Sequence, residues 1–127
     1  MTEYLLDTTI IIDHLRGDKK VSSFLEEIGI RGDTAGCCCI NITETYTGMK
    51  DREKEKTDKF IESLYYFTVT KEIAKLAGVL KQKNAKKGRT LATSDVIIAA
   101  TALTYGLILV TKNVKHYPFN DLELKEL

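Results

Sequence analysis

The sequence predicts an α/β fold in which one parallel sheet is covered on both faces by helices. Short apolar runs, Tyr4–Leu6, Ala35–Ile40 and Leu107–Val110, recur along the chain with stretches of helical periodicity between them. That alternation builds strand–helix–strand units. Leu107–Val110 is apolar throughout, as expected of a strand buried on both faces of a parallel sheet. The length of 127 residues, with 43% hydrophobic and 29% charged residues, fits a single domain (1–127) with one modest core.

Taken in order, Tyr4–Leu6 reads as a buried strand ending at Asp7. Thr8 and Thr9 are good helix caps. Ile10, Ile11, Ile12 and Leu15 then continue as a helix up to Gly17, a C-terminal stop. Asp7 thus falls at the carboxyl end of a strand, beside a helix start. Asp13 lies within the helix, open between solvation and pairing with a base. His14 has no second histidine at ligand spacing and is expected at the surface or in packing. Val21, Phe24, Leu25 and Ile28 recur at spacings of three and four, an amphipathic helix over Lys19–Ile28 that Gly29, Gly32 and Asp33 break. Ala35–Ile40 is the second buried strand. Asn41 and Glu44 then have the spacing of a capping box, opening a helix that ends near Gly48.

Lys50–Lys59 carries interleaved charges and reads as a solvated turn and helix face, which argues against a nucleic-acid patch there. Phe60, Ile61 and Leu64 turn that helix onto the core. Tyr65–Val69 is aromatic and β-branched, a strand. Lys71–Lys87 is helical, with Ile73, Leu76, Ala77 and Leu80 inward. Its basic excess runs through Lys86 and Lys87 to Arg89. A solvated helix end, where lysine suits the dipole, and a phosphate-steering edge both remain open. Val96–Leu103 is strongly apolar with small Ala99, Ala100 and Ala102, a buried helix that Thr93 or Ser94 can cap and Asp95 opens. Alone, Asp95 reads as a helix-stabilising acid; with partner carboxylates it reads as a metal ligand. Gly106 ends this helix. Thr111, Lys112 and Asn113 follow the next strand, and Val114–Tyr117 forms a short helical turn before Pro118. The tail from Asn120 to Leu127 alternates apolar and acidic residues and can add an edge strand.

Composition excludes several classes. A formal charge of +1 does not describe a protein that coats nucleic acid through bulk charge. No apolar run approaches the ~20 residues needed to span a bilayer, and no secretory signal opens the chain. The expected compartment is the cytoplasm, with no membrane partner. Cys37–Cys39 are consecutive and lack a C-x-x-C pattern. They are expected to be small, buried, reduced hydrophobes in a strand. No Walker A sequence, G-x-G-x-x-G fingerprint or nucleophile triad is present.

In a parallel sheet with right-handed crossovers, strand carboxyl ends and the following helix starts share one edge. Asp7, Glu44, Asp95, Thr111 and Asn113 all fall where they could meet there. Clustered carboxylates raise each other's pKa values unless a cation compensates. Hard oxygen donors without a thiol cluster favour Mg²⁺ or Mn²⁺ over zinc. A carboxylate-held ion of this kind suits in-line phosphoryl chemistry.

Four motifs carry a family resemblance: LLDTTIIID over Leu5–Asp13, INITETYTG over Ile40–Gly48, GRTLATSDVIIAATA over Gly88–Ala102 and LVTKNVKHY over Leu109–Tyr117. In order and spacing the chain resembles a PIN-domain ribonuclease, most closely a VapC-type toxin of a type II toxin–antitoxin pair. The resemblance implies a three-layer α/β/α sandwich with a central parallel sheet. It implies Mg²⁺- or Mn²⁺-dependent cleavage of cellular RNA, a homodimer, and neutralisation by a cognate VapB-like antitoxin. Asp7, Glu44 and Asp95 match the family's metal-binding acids. Thr8 follows Asp7 where the family often has Asn or Ser, and Thr111 matches a hydroxyl that supports the acids. Asn113 takes the place of a fourth acid, where the family often has Asp, and a neutral amide binds a hard cation less strongly. His116 falls where related chains often carry another Asp. Lys86, Lys87 and Arg89 are candidate contacts to the RNA backbone. Two alternatives keep the fold: a housekeeping RNA- or DNA-acting nuclease without a toxin partner, and a non-catalytic binding module.

Overall fold

The central strand β1 (Glu3–Leu6) sets the frame of the computed structural model, which describes residues 1–127. It is followed by α1 (Thr8–Leu15), α2 (Lys19–Ile30), β2 (Thr34–Cys37), α3 (Cys39–Gly48), α4 (Lys54–Ser63) and β3 (Tyr65–Tyr66). The chain continues as α5 (Lys71–Lys86), α6 (Thr93–Tyr105), β4 (Ile108–Thr111) and β5 (Leu124–Glu126). One-turn 3-10 segments cover Asp51–Glu53 and Val114–His116. The five strands form one all-parallel sheet in the order β3-β2-β1-β4-β5. No helix is long and apolar enough to cross a membrane.

Alternation along β1 divides the core between the two faces of the sheet. Tyr4 and Leu6 point to one face, where Ile10 and Ile11 of α1, Val21, Phe24 and Ile28 of α2 and Ile61 of α4 cover them. Leu5 points to the other face, where it meets Ile98, Ala99 and Ala102 of α6 together with Leu109, Phe67 and Tyr117. Helix α5 lies outside α6 and packs on it through Ile73 and Ala77 against Val96 and Ala100. This is the α/β/α sandwich the sequence predicts, and the small residues of α6 are what let it lie close to the strands.

Several local expectations need correction. Asp7 itself, not Thr8 or Thr9, caps α1: its Oδ1 accepts from the Thr8 backbone N–H at 2.8 Å. At α6 neither Thr93 nor Ser94 caps; Ala92 holds that position without a side-chain bond. Helix α2 runs through Gly29 to Ile30 before it stops. The cysteine strand ends at Cys37, and Cys39 already opens α3. Adjacent thiols therefore straddle a strand end and a helix start. All three are free; Cys37 and Cys38 are buried, and burial pushes the Cys37 thiol up to about 11. The capping box expected from Asn41 and Glu44 is absent. Asn41 instead lies in the first turn of α3, where its Oδ1 accepts from the Cys38 N–H at 2.8 Å. Glu44 sits one turn further along. The strand expected over Tyr65–Val69 is only Tyr65–Tyr66, because it pairs with Gly36 and Cys37 and its partner β2 ends at Cys37, leaving the following residues no strand to pair with. Gly36 is required there, since a Cβ would run into the Phe67 ring and the Tyr65 carbonyl. Gly106 closes α6 at φ 68°, a left-handed conformation that favours glycine.

Candidate metal centre

The carboxyl edge of β1 and β4 builds the site. Asp7 follows the last residue of β1, and its backbone N–H donates to the Val110 carbonyl of β4 at 2.9 Å. That bond carries the sheet register past Leu6 and fixes where the carboxylate starts. The residue is only 6% exposed. Oδ1 caps α1, and Oδ2 accepts from the Thr111 hydroxyl at 2.8 Å. The Thr111 hydroxyl, fully buried, accepts in turn from the Asn113 N–H at 2.9 Å. A buried carboxylate without such donors would be costly; here both oxygens are engaged.

A second chain of bonds arrives from α3. Asn41 is completely buried and donates through Nδ2 to Thr8 Oγ1 at 3.1 Å. Thr8 Oγ1 donates to Glu44 Oε1 at 2.6 Å. Glu44 is thereby drawn toward the start of α1 although the residue is exposed. Asp95 enters from the first turn of α6, with its side chain 20% exposed. Its carboxyl is held above the usual range. Burial is the main cause, and the charges of Asp7 and Glu44 add to it; His116 and the Tyr117 hydroxyl oppose it. The Tyr117 hydroxyl lies 3.5 Å from Asp95 Oδ1, and His116 Nδ1 lies 3.6 Å from Asp95 Oδ2. Tyr117 is buried, and burial together with the Asp7 and Asp95 charges drives its phenol well above its ordinary pKa.

Asp7, Thr8, Glu44, Asp95, Asn113 and His116 line one cleft, with Thr9 and Ile12 at its wall. The site residues expected from the sequence are thus brought to one edge, Thr111 just beneath. Lys86, Lys87 and Arg89 are not in the cleft: they end α5 and begin the next loop, exposed. As the side chains stand, no three His, Cys, Asp or Glu residues enclose a single point at ligating distance; Glu44 is turned onto Thr8. The donor chemistry nevertheless fits a hard divalent ion. Mg²⁺ keeps several waters and needs only one or two carboxylates directly.

Three contributors were not singled out as site residues by sequence reasoning. In the sequence Asn41 reads as a cap, Tyr117 as the end of a short turn, and Lys112 as a loop residue. Lys112 Nζ bonds Asp13 at 2.6 Å and Asp18 at 2.8 Å, tying the loop after β4 to α1 and to the start of α2. Asp13 is therefore paired with a base. His14 packs, as expected, with its ring 4.3 Å from that of Phe60. Only the position of Lys112, between Thr111 and Asn113, hinted that it would anchor the site loop.

This fold and edge define the class of protein. The PIN domain family profile matches residues 4–121, and the chain belongs to that family. Its relatives narrow the class. It is 32% identical to ribonuclease VapC19 of Mycobacterium tuberculosis over 120 residues, 94% of this chain and 96% of the relative. It is 29% identical to ribonuclease VapC10 of the same organism over 114 residues, 90% of this chain and 85% of the relative. In fold it is similar to the crystal structure of VapBC2 from Rickettsia felis bound to a DNA fragment from the promoter, with a TM-score of 0.87, 22% identity and 99% of both chains covered. Within the PIN-domain family the chain is of the VapC type.

Proposed function

We propose that this chain is the endoribonuclease toxin of a toxin–antitoxin pair, cutting cellular RNA in the cytoplasm with Mg²⁺ or Mn²⁺. The observation that carries the reading is the meeting of Asp7, Glu44 and Asp95 on one cleft at the carboxyl edge of the sheet. The VapC-type relatives, named ribonucleases, support the activity.

A divalent ion held there would supply Lewis acidity toward a phosphodiester and activation of water at neutral pH. Asp7, Glu44 and Asp95 offer it hard oxygens, and Asn113 adds a neutral amide. Thr111 and the α1 N-terminus hold Asp7 in one orientation. The Thr8 hydroxyl holds Glu44 beside the cleft, and Glu44 would turn from that bond to reach an ion shared with Asp7 and Asp95. The mixed burial of the three acids excludes part of the bulk water from the inner wall while the outer side stays open to a nucleic-acid strand. Lys86, Lys87 and Arg89 would engage phosphates along that strand's path. Single-stranded RNA, whose backbone can bend into the cleft, is the expected form. The partner is a VapB-like antitoxin, as the VapBC pairing of the R. felis neighbour supports, and the toxin itself is expected as a homodimer.

The test is incubation of a cellular RNA pool with antitoxin-free protein in Mg²⁺, in Mn²⁺ and in chelator, beside Asp7→Asn. Asparagine keeps the cap on α1 but puts an NH₂ where the Thr111 hydroxyl finds an acceptor, so the variant is expected to melt below the parent, and circular dichroism verifies that it is folded under the assay conditions. Discrete fragments with either ion, lost in chelator and in Asp7→Asn, are expected. Intact RNA with folded protein under both ions would replace this reading with a non-catalytic binding module.

A further inference from the structure

The chain has two histidines. His14 is consumed by packing: Nδ1 lies 2.8 Å from Ser22 Oγ and the ring packs at a tilt on that of Phe60. His116 stands elsewhere. It ends the 3-10 turn after β4, its side chain is 55% exposed, and Nδ1 faces Asp95 Oδ2 at 3.6 Å. It lines the same cleft as Asp7, Glu44 and Asn113.

We infer that His116 is a ligand of the divalent ion through Nδ1, and that it biases the centre toward Mn²⁺ over Mg²⁺. The inference rests on the metal-centre reading above and names the residue that sets the choice of ion. Mg²⁺ is hard, takes oxygen ligands in strict octahedral geometry and gives up water reluctantly. Imidazole suits transition ions, whose preference for nitrogen grows along the first-row series. A site of carboxylates alone discriminates weakly between Mg²⁺ and Mn²⁺; one nitrogen donor tips it. Asn113 strengthens the effect, because a neutral amide contributes less to holding a hard ion than an acid at that position would.

The geometry agrees. Adjacent ligands of an octahedral ion stand about 3 Å apart, from metal–ligand distances near 2.1 Å. The His116–Asp95 pair, at 3.6 Å, reaches that spacing by a small turn of an exposed ring. The nitrogen that faces Asp95 is the one that can share an ion with it. The competing explanation is an ion pair in which His116 only offsets the Asp95 charge. The two differ in one observable, a bond between nitrogen and the metal.

Mn²⁺ is paramagnetic, so the experiment is electron spin-echo envelope modulation on the full chain loaded with Mn²⁺. Parallel calorimetric titrations with Mn²⁺ and Mg²⁺ are made on the native protein, His116→Asp and His14→Gln. The expected result is nitrogen modulation in the native protein and in His14→Gln, and its loss in His116→Asp with Mn²⁺ still bound. The ratio of Mn²⁺ to Mg²⁺ affinity falls several-fold in His116→Asp alone. Bound Mn²⁺ without nitrogen modulation in the native protein overturns the inference and leaves the metal centre standing, as does an unchanged affinity ratio. No ion bound at millimolar concentration overturns the metal-centre reading itself. The native spectrum is decisive even if a variant fails to fold.

Discussion

Asp95 shows how a single side chain here works against the fold. Burial, with Asp7 and Glu44 beside it, holds its carboxyl above the unfolded value of 3.8. At neutral pH the folded chain therefore carries a charge that the unfolded chain carries more easily, and the ionised acid subtracts from stability. As pH falls through the folded-state pKa, the folded chain binds the proton first and the penalty fades; below the unfolded value it is gone. Asp95→Asn keeps the shape and the acceptor for Tyr117 without the charge. In metal-free buffer it is expected to melt above the parent at pH 7, with the difference closing toward pH 3.5. The same variant loses divalent-ion binding by calorimetry. A variant that melts below the parent at pH 7 would show that the carboxylate is better satisfied than its surroundings indicate. Residues of this kind were legible in the sequence because their signals are local. Asp7 ends an apolar run and Asp95 opens one.

At the scale of elements, the start of α3 was the least legible part. Three cysteines after Ala35 and Gly36 continue an apolar run, and nothing local distinguishes a strand residue from a first helical residue there. The helix begins at Cys39 because Asn41 reaches back to the Cys38 N–H, and Asn41 is fixed by Thr8, thirty-three positions away in the chain. Such a closure cannot be read from spacing. It also changes the meaning of Glu44, from a capping acid to an acid presented by Thr8. Asn41→Ala leaves a buried N–H and one side of a buried hydroxyl unsatisfied. The loss is expected at about 1–3 kcal/mol, on the order of 5–10 °C in melting temperature for a domain of this size. Asn41→Asp keeps the acceptor for Cys38 but places a charged oxygen against Thr8 Oγ1 at a completely buried position, so it is expected to melt no higher than Asn41→Ala. Thermal denaturation followed by circular dichroism checks the order. If Asn41→Ala melts with the parent, the bridge between α1 and α3 carries no stability.

For the whole molecule, the sheet is a partition with different duties on its two sides. Strand alternation and the parallel, doubly covered sheet were readable from the sequence; the strand order was not, because it depends on pairings such as Tyr4 with Ile108 that join distant segments. On one face α1 and α2 close the core. On the other, α6 lies against Leu5 and Leu109 through Ala99 and Ala102, and it carries Asp95 at its N-terminus. Helix α6 is thus a rigid arm whose distance from the sheet sets how near Asp95 comes to Asp7. Enlarging its contact surface should damage both stability and site. Ala99→Leu overpacks a fully buried position, at about 1–3 kcal/mol, and moves the arm outward. Ile28→Ala, on α2 across the sheet, empties a buried position at about 2–5 kcal/mol, but α2 carries none of the three acids. Urea titrations are expected to show both variants destabilised. Calorimetric titration with Mn²⁺, made where both remain folded, is expected to show weakened binding in Ala99→Leu and unchanged binding in Ile28→Ala. Equal ion affinity in the two would mean that Asp95 is positioned by its immediate neighbours, Tyr117 and His116, and that the packing of α6 on the sheet serves stability alone.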